Sequence, residues 1–366
     1  MQQPPAKFRV AICGGGVGGL TLAFCLSRCP DIAVDVYEAT ARFTEIGAGI
    51  GMWWRTWTLM KALGLDADIA ALLGAAPRDE RLPTLHYRKA DQPEGVSFAD
   101  ITARGGLLTL HRAEFHHLLL TRLAASPHVH THTSKRLHSY SSPSSSSPSS
   151  PSTPTPTPTP ITLTFTDGTT APCDILLGAD GIRSAVRAQL FTDYASNTPD
   201  ASALRACAHP RWSGVLAYRA LVPAERLRAR APGHRIFRAP TQVRCAYMLA
   251  DGLVFADADA CCLVWFGAGR GSVSRERQAS TSVLTTHDPG PHTAQHLMAY
   301  PISHGRYINL AAFDVAHRDS DDAPAPAPEP WVADVDPGVV QRLFGGFERE
   351  VGQLLDVRSR SRARYL

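Results

Sequence analysis

No stretch of the 366 residues approaches the ~20 consecutive apolar residues of a bilayer-crossing helix. Residues 1–9 lack the basic-then-apolar layout of a secretory leader. A soluble, cytoplasmic protein without a membrane span is therefore expected. Neither sign of charge dominates: Lys+Arg 37 against Asp+Glu 33 leaves +4, too little to call for a nucleic-acid partner. The basic run Arg358, Arg360, Arg362 and Arg364 reads as a solvated tail. None of the eight cysteines stands in a C-x-x-C pair, which argues against a disulfide or metal framework and for buried free thiols in a reducing compartment. Internal repeats are absent as well. What the chain does have is 44% hydrophobic and 19% charged residues, enough apolar material to bury a sizeable core. At roughly 100–200 residues per domain, the length predicts two domains.

Two segments cannot pack. Residues 139–160 are almost wholly Ser, Pro and Thr and end in alternating Thr-Pro, an extended, exposed insertion. Residues 319–330 (DSDDAPAPAPEP) form an acidic Ala-Pro linker. The first forty residues read as strand, helix, strand: apolar 10–13, the string GGGVGG, helical 20–26, a break at Pro30, and a second strand at 34–37. A buried parallel sheet follows from that order. Residues 112–124 have the stripe of an amphipathic helix, with Phe115, Leu118, Leu119 and Leu123 on one side. The alternating stretch 128–138 and the later ITLTF run predict a hairpin that the Ser/Pro tract merely lengthens, since loop closure costs rise slowly with length.

Gly14, Gly16 and Gly19 spell G-x-G-x-x-G between the first strand and helix. There the tight turn, the close backbone approach to a diphosphate and the helix-on-strand contact each need a missing side chain. Amides at the helix start would face the phosphates. Glu38 closes the next strand about 20 residues on, where a carboxylate accepts hydrogen bonds from a ribose diol and repels a 2′-phosphate. This unit alone does not separate NAD from FAD.

Three further strings do. TEIGAGIGM (44–52), the pair His111-Arg112 opening a helix, and DILLGADGIRSAVR (174–187) together resemble the class A FAD-dependent aromatic monooxygenases, the salicylate hydroxylase-like family. WSGVLAYRALVP (212–223) and YPISHGRYIN (300–309) extend the match along most of the chain outside the insertions. The resemblance implies an α/β fold: an FAD-binding, Rossmann-like domain of the glutathione-reductase type with a mostly antiparallel β-sheet substrate domain. The expected division is 1–190 for FAD, 191–318 for substrate with an irregular surplus at about 244–291, a linker at 319–330, and a helical segment at 331–366. The family continues with a G-D motif that has no counterpart in 331–366, so the chain is expected to be C-terminally truncated, which bears on its activity.

By the same resemblance, Arg112 reaches the FAD phosphates and ribityl region, Asp180 and Gly181 form a second cofactor fingerprint, and Gly47, Gly49 and Gly51 pass beside the flavin. Arg219 and Tyr300 are the implied catalytic residues, the arginine stabilising a phenolate or carboxylate and the tyrosine hydrogen-bonding substrate or moving a proton; Tyr218 is a weaker neighbour. Trp54 stands where related chains often have proline. The implied reaction uses NADH or NADPH and O2 to hydroxylate a small aromatic acid or phenol through a C4a-hydroperoxyflavin. Another FAD oxidoreductase of the fold, an epoxidase or halogenase, or an inactive nucleotide-binding relative are the alternatives. Ring identity and oligomeric state stay open. His128, His130 and His132 alternate as strand-borne ligands would, yet no metal is expected, because the family strand carries none. The FGAGRGS string (266–272) is not followed by a helix stripe and is set aside as a nucleotide loop. His116 and His117 read as helix-surface residues.

Overall fold

The apolar run at residues 10–13 does become a strand buried on both faces: Val10, Ala11, Ile12 and Cys13 are each at most 2% exposed, as expected where helices or further sheet cover both sides. The computed structural model describes residues 6–43, 48–141, 160–196, 198, 201–210, 215–238, 241–245, 295–315 and 332–357. Gly47, nearly all of the Ser/Pro/Thr tract, the 244–291 surplus past Cys245 with its FGAGRGS string, the 319–330 linker and the arginines from Arg358 onward lie outside the described residues.

Along the chain the elements begin with β1 Phe8–Cys13, α1 Val17–Leu26, β2 Ile32–Tyr37, β3 Gly49–Met52, α2 Trp54–Ala62, α3 Asp66–Leu73, β4 Arg81–Lys89, β5 Val96–Arg104, β6 Leu108–His111 and α4 Arg112–Leu123. They continue with β7 Val129–His132, β8 Leu137–Tyr140, β9 Ile161–Phe165, β10 Thr170–Cys173, β11 Ile175–Gly178, α5 Ala185–Ser196 and α6 Ala201–Ala208. The remainder is β12 Val215–Pro223, α7 Ala224–Arg230, β13 Gln242–Cys245, β14 His296–Ile302, β15 Tyr307–Val315, α8 Pro337–Leu343 and α9 Arg349–Asp356.

Contacts group these into two units, Met1–Ile50 with Leu110–Trp212, and Gly51–Thr109 with Ser213–Leu366. A cut at residue 190 therefore does not describe the molecule. Residues 51–109 join the second unit because β4 and β5 complete its sheet.

In the first unit, β11, β1, β2 and β7 form a parallel sheet in that order, with α1 and α4 packed together. A separate antiparallel sheet runs β10-β9-β8. The hairpin expected across the Ser/Pro tract is thus half right. β8 pairs with β9, but β7 lies beside β2 in the parallel sheet, Val34 opposite Val129. Val129 is buried there, and that burial outweighs the local preference for a hairpin partner.

The second unit is built on a six-stranded sheet, β12-β15-β14-β13-β4-β5, antiparallel except for β13 against β4. Alternation sorts its strands. Tyr218, Ala220, Val222, Leu297, Ala299, Ile308, Leu310 and Ala312 face one core together with Leu227, Val340, Phe344, Val351 and Leu354 of the helices. Trp54 opens α2 with its ring against Gly105, whose φ of +69° and missing side chain make room for it, and the Arg104 guanidinium stands 5.2 Å from the ring centroid.

The residue before α9 is latched to the sheet by charge. Glu348, 3% exposed in its side chain, accepts from Arg88 Nη2 at 2.8 Å and from Arg244 Nε at 2.5 Å, and Arg244 is wholly buried. Arg244 Nη2 reaches Glu350 at 2.8 Å, and Arg235 Nη1 stands 3.6 Å from Glu348 and 3.4 Å from Glu350, so three guanidiniums meet two carboxylates. Burial alone would raise the Glu348 carboxyl, but the hydrogen bonds and charges of Arg88 and Arg244 more than offset it and hold the group below its ordinary value. Glu348→Gln leaves the buried guanidiniums of Arg88 and Arg244 short of countercharge and is expected to cost about 3–5 kcal/mol, read as a lower denaturant midpoint at pH 7. Because the folded pKa lies below the unfolded one, the wild-type contribution is complete above the ordinary value of 4.5 and fades as pH falls through the folded pKa. The variant should lack that part of the acid dependence.

Candidate functional site

Three residues, Gly14 to Gly16, separate β1 from α1, and the glycines of this turn and of the helix start are present for different reasons. Gly14 has φ +112°, and a Cβ there would strike the Ala179 carbonyl; a Cβ on Gly19 would strike the Gly14 carbonyl. Both glycines are required by the packing of the chain itself. Gly16 is different: it caps α1 with φ −72° and ψ 178°, and a Cβ on it would meet nothing within 4 Å. Neither its conformation nor its neighbours demand glycine, so the open space over the start of α1 is room for a ligand to approach the backbone.

Glu38 turns toward that turn. Its Oε2 accepts from the Gly15 N–H at 2.8 Å, and its Oε1 accepts from the N–H and hydroxyl of Thr40 at 2.8 and 2.9 Å. A carboxylate offers about four lone-pair positions, so capacity for one ribose hydroxyl remains. Thr40 was not singled out by sequence, although an acid followed two residues later by a hydroxyl is a common local pairing.

His116 was expected on a helix surface; only its neighbour His117 is exposed. His116 is 4% exposed and places Nε2 2.7 Å from the Gly15 carbonyl oxygen. The correction follows from packing, since 116, 119 and 123 lie on the face of α4 that meets α1. That spacing was the available signal.

The second fingerprint lies directly against the first. The Ala179 N–H donates to the Cys13 carbonyl at 2.7 Å, and the Asp180 backbone nitrogen is 2.7 Å from the position a Gly14 Cβ would take. The Asp180 side chain caps α5, accepting from the Ala185 N–H at 2.7 Å, the Val186 N–H at 3.2 Å and the Ser184 hydroxyl. Gly181 follows with φ +77° and open space beside it. The structure thus brings Gly14, Gly16, Gly19, Glu38, Asp180 and Gly181 to the carboxyl ends of β1, β2 and β11. Arg112 is the first residue of α4, half-buried, with its N–H on the Ala48 carbonyl at 2.9 Å. Gly49 and Gly51 lie on β3, which pairs with β6; a Gly51 Cβ would come within 2.8 Å of the flexible end of Leu107.

In the second unit, Arg219 on β12 and Tyr300 on β14 face away from the helix-covered core, on the side shared by Met298 and Val243. Ala311 pairs with both Arg219 and Met298, and Tyr300 pairs with Asn309 on the strand between them. Asn309, 3% exposed, is a polar residue of this face that sequence reasoning missed. Tyr218 points to the opposite face, into the core, and is no neighbour of the pair. Burial pushes the Tyr300 hydroxyl up to about 12, against the pull of the Arg219 charge.

Of the alternating histidines, His132 stacks on Tyr37 at 4.8 Å between centroids and bonds to Asp35 at 2.8 Å. Among the described residues no group of three or more His, Cys, Asp or Glu is placed to hold a metal ion, and no helix is long and apolar enough to cross a membrane.

No family model matches the sequence. FAD-dependent monooxygenase str9 of Strobilurus tenacellus is 42% identical over 245 residues, 64% of this chain and 50% of that protein. A salicylate hydroxylase of Pseudomonas putida is 25% identical over 356 residues, 97% of this chain and 66% of its own length. The chain therefore spans between half and two thirds of these relatives. Among solved structures, a salicylate hydroxylase substrate complex superposes with a TM-score of 0.62 at 22% identity, covering 100% of this chain and 68% of the other. The 2,6-dihydroxypyridine-3-hydroxylase of Arthrobacter nicotinovorans gives 0.57 at 17% identity, covering 99% and 72%. Fold and sequence point the same way: over about two thirds of its length the chain is similar in sequence to an FAD-dependent monooxygenase, along nearly all of it to a salicylate hydroxylase, and its fold is that of the salicylate hydroxylase structure.

Proposed function

We propose that this protein hydroxylates a small aromatic acid or phenol, with FAD as cofactor, NADH or NADPH as reductant and O2 as oxidant. The observation that carries the reading is the pairing of Glu38 with the glycine turn: its carboxylate is on the Gly15 N–H and Gly16 faces open space. The donor set suits an adenine dinucleotide. Amides of Gly16 and the first turn of α1 would take the diphosphate, Glu38 the ribose diol, and Arg112, Gly49, Gly51, Asp180 and Gly181 the remainder of the cofactor. Bound FAD would supply the redox chemistry between reductant, oxygen and ring.

The chain's own part concerns the substrate. Arg219 would hold a carboxylate or phenolate oxygen and favour the anionic, electron-rich ring. Tyr300 stays protonated across the physiological range because burial raises it, so its O–H donates to that oxygen. Asn309, between the two strands, would complete the polar set. The names of the relatives support an aromatic acid, since salicylate carries both a carboxylate and a phenol. A cytoplasmic location fits Cys13 and Cys173, buried free thiols.

The activity is tested by substrate-dependent consumption of NAD(P)H and O2 with appearance of a hydroxylated ring; consumption without hydroxylated product for any phenol or aromatic acid tried rejects the reading. For the cofactor, Glu38→Ala should weaken FAD binding by about 1–3 kcal/mol. Gly16→Ala should keep the apoprotein's melting temperature yet lower flavin affinity, because only a ligand competes for the space its methyl would fill. Quenching of flavin fluorescence on titration measures both, and unchanged affinities would remove the dinucleotide from the turn. Arg219→Gln should lower kcat/KM for the aromatic acid by about 10–100-fold, the worth of a hydrogen bond to a charged group, with flavin content intact. Parallel loss of flavin and turnover would make Arg219 structural instead.

A further inference from the structure

We infer that His116 is the positioning residue that aims the Gly16 amide at the cofactor's diphosphate. The inference rests on the dinucleotide reading of the glycine turn. It starts from which peptide groups of the turn are held. The Cys13 carbonyl takes the Ala179 N–H, the Gly14 N–H goes to the Tyr37 carbonyl, the Gly15 N–H to Glu38, and the Gly16 carbonyl to the Leu20 N–H. Among the described residues the Gly15–Gly16 peptide is tethered by one bond, from His116 to the Gly15 carbonyl oxygen at 2.7 Å.

That bond sets a direction. A carbonyl only accepts, so Nε2 of His116 carries the proton, in the neutral and the charged ring alike. In a planar trans peptide the C=O and the following N–H point opposite ways. Drawing the Gly15 oxygen toward α4 therefore turns the Gly16 N–H away from α4. Among the described residues that N–H meets no protein acceptor, and the Cβ position of Gly16 opens on space. Without the histidine, glycines on both sides leave the peptide free to rotate. The rotated form would present a carbonyl oxygen, which repels a phosphate, where the intended form presents a donor. Burial makes the tether stiff: His116 is 4% exposed, and the Phe43 ring lies 6.0 Å from its own.

The test compares wild type, His116→Leu and His116→Gln with FAD, ADP and adenosine as probes. His116→Leu should bind ADP about tenfold or more weakly, the worth of one charge-assisted hydrogen bond, with adenosine affinity unchanged. His116→Gln, which keeps an N–H donor, should recover ADP affinity. Equal loss of ADP and adenosine, or no loss, overturns the inference. A second measurement needs no variant. With 15N-glycine labelling, the Gly16 amide should shift downfield when ADP is added to wild type; ADP binding that leaves the Gly16 amide unmoved also overturns it. A wild-type chain that binds neither FAD nor ADP sinks the dinucleotide reading itself, a different result from binding without the His116 effect.

Discussion

The bond from the Gly15 N–H to the Glu38 carboxylate is the constraint on which the glycine turn of the first unit depends. It exists because β1 and β2 run parallel with Cys13 opposite Tyr37, which brings the residues just past each strand end side by side. A charge-assisted bond of this kind is worth about 1.5–3 kcal/mol, enough to hold a run of glycines that would otherwise sample many conformations. Once Gly15 is held, Gly14 is pressed against Ala179, the second fingerprint is brought in beside the first, and the start of α1 is left facing open space.

In the sheet of the second unit, one alternation separates the charge latch from the face of the candidate catalytic residues. On one face Arg88 and Arg244 are spent on Glu348, tying the start of α9 to β4 and β13. On the other, Arg219, Tyr300 and Asn309 occupy neighbouring strands amid apolar side chains. A shift of one residue in either strand would exchange the roles of the faces. The same period explains why Tyr218, adjacent in sequence to Arg219, belongs to the core.

Local periodicity made much of this legible. The apolar run, the glycine spacing and the acid closing the second strand each depend on nearest neighbours, and all three behave as read. Glu38 turns its carboxylate toward the glycine turn. What failed depends on partners distant in sequence. β7 looked like half of a hairpin because its β2 partner lies almost a hundred residues earlier. Residues 51–109 looked like part of the first domain because sequence order hides that β4 pairs with β13. His116 looked like a surface residue because a histidine pair by itself reads as polar, and only its spacing with Leu119 and Leu123 hinted at the buried face.

By itself, then, the sequence determined the crossover, its glycine turn, the acid that serves it and the strands bearing Arg219 and Tyr300, since turn chemistry and side-chain alternation are properties of short segments. Only the tertiary structure decided that Asn309 stands between the two candidate catalytic strands, that Glu348 is buried between arginines, and that His116 grips the glycine turn. Each of those is a meeting of segments tens to hundreds of residues apart or a choice among faces, and burial settles such choices only when the whole chain has packed.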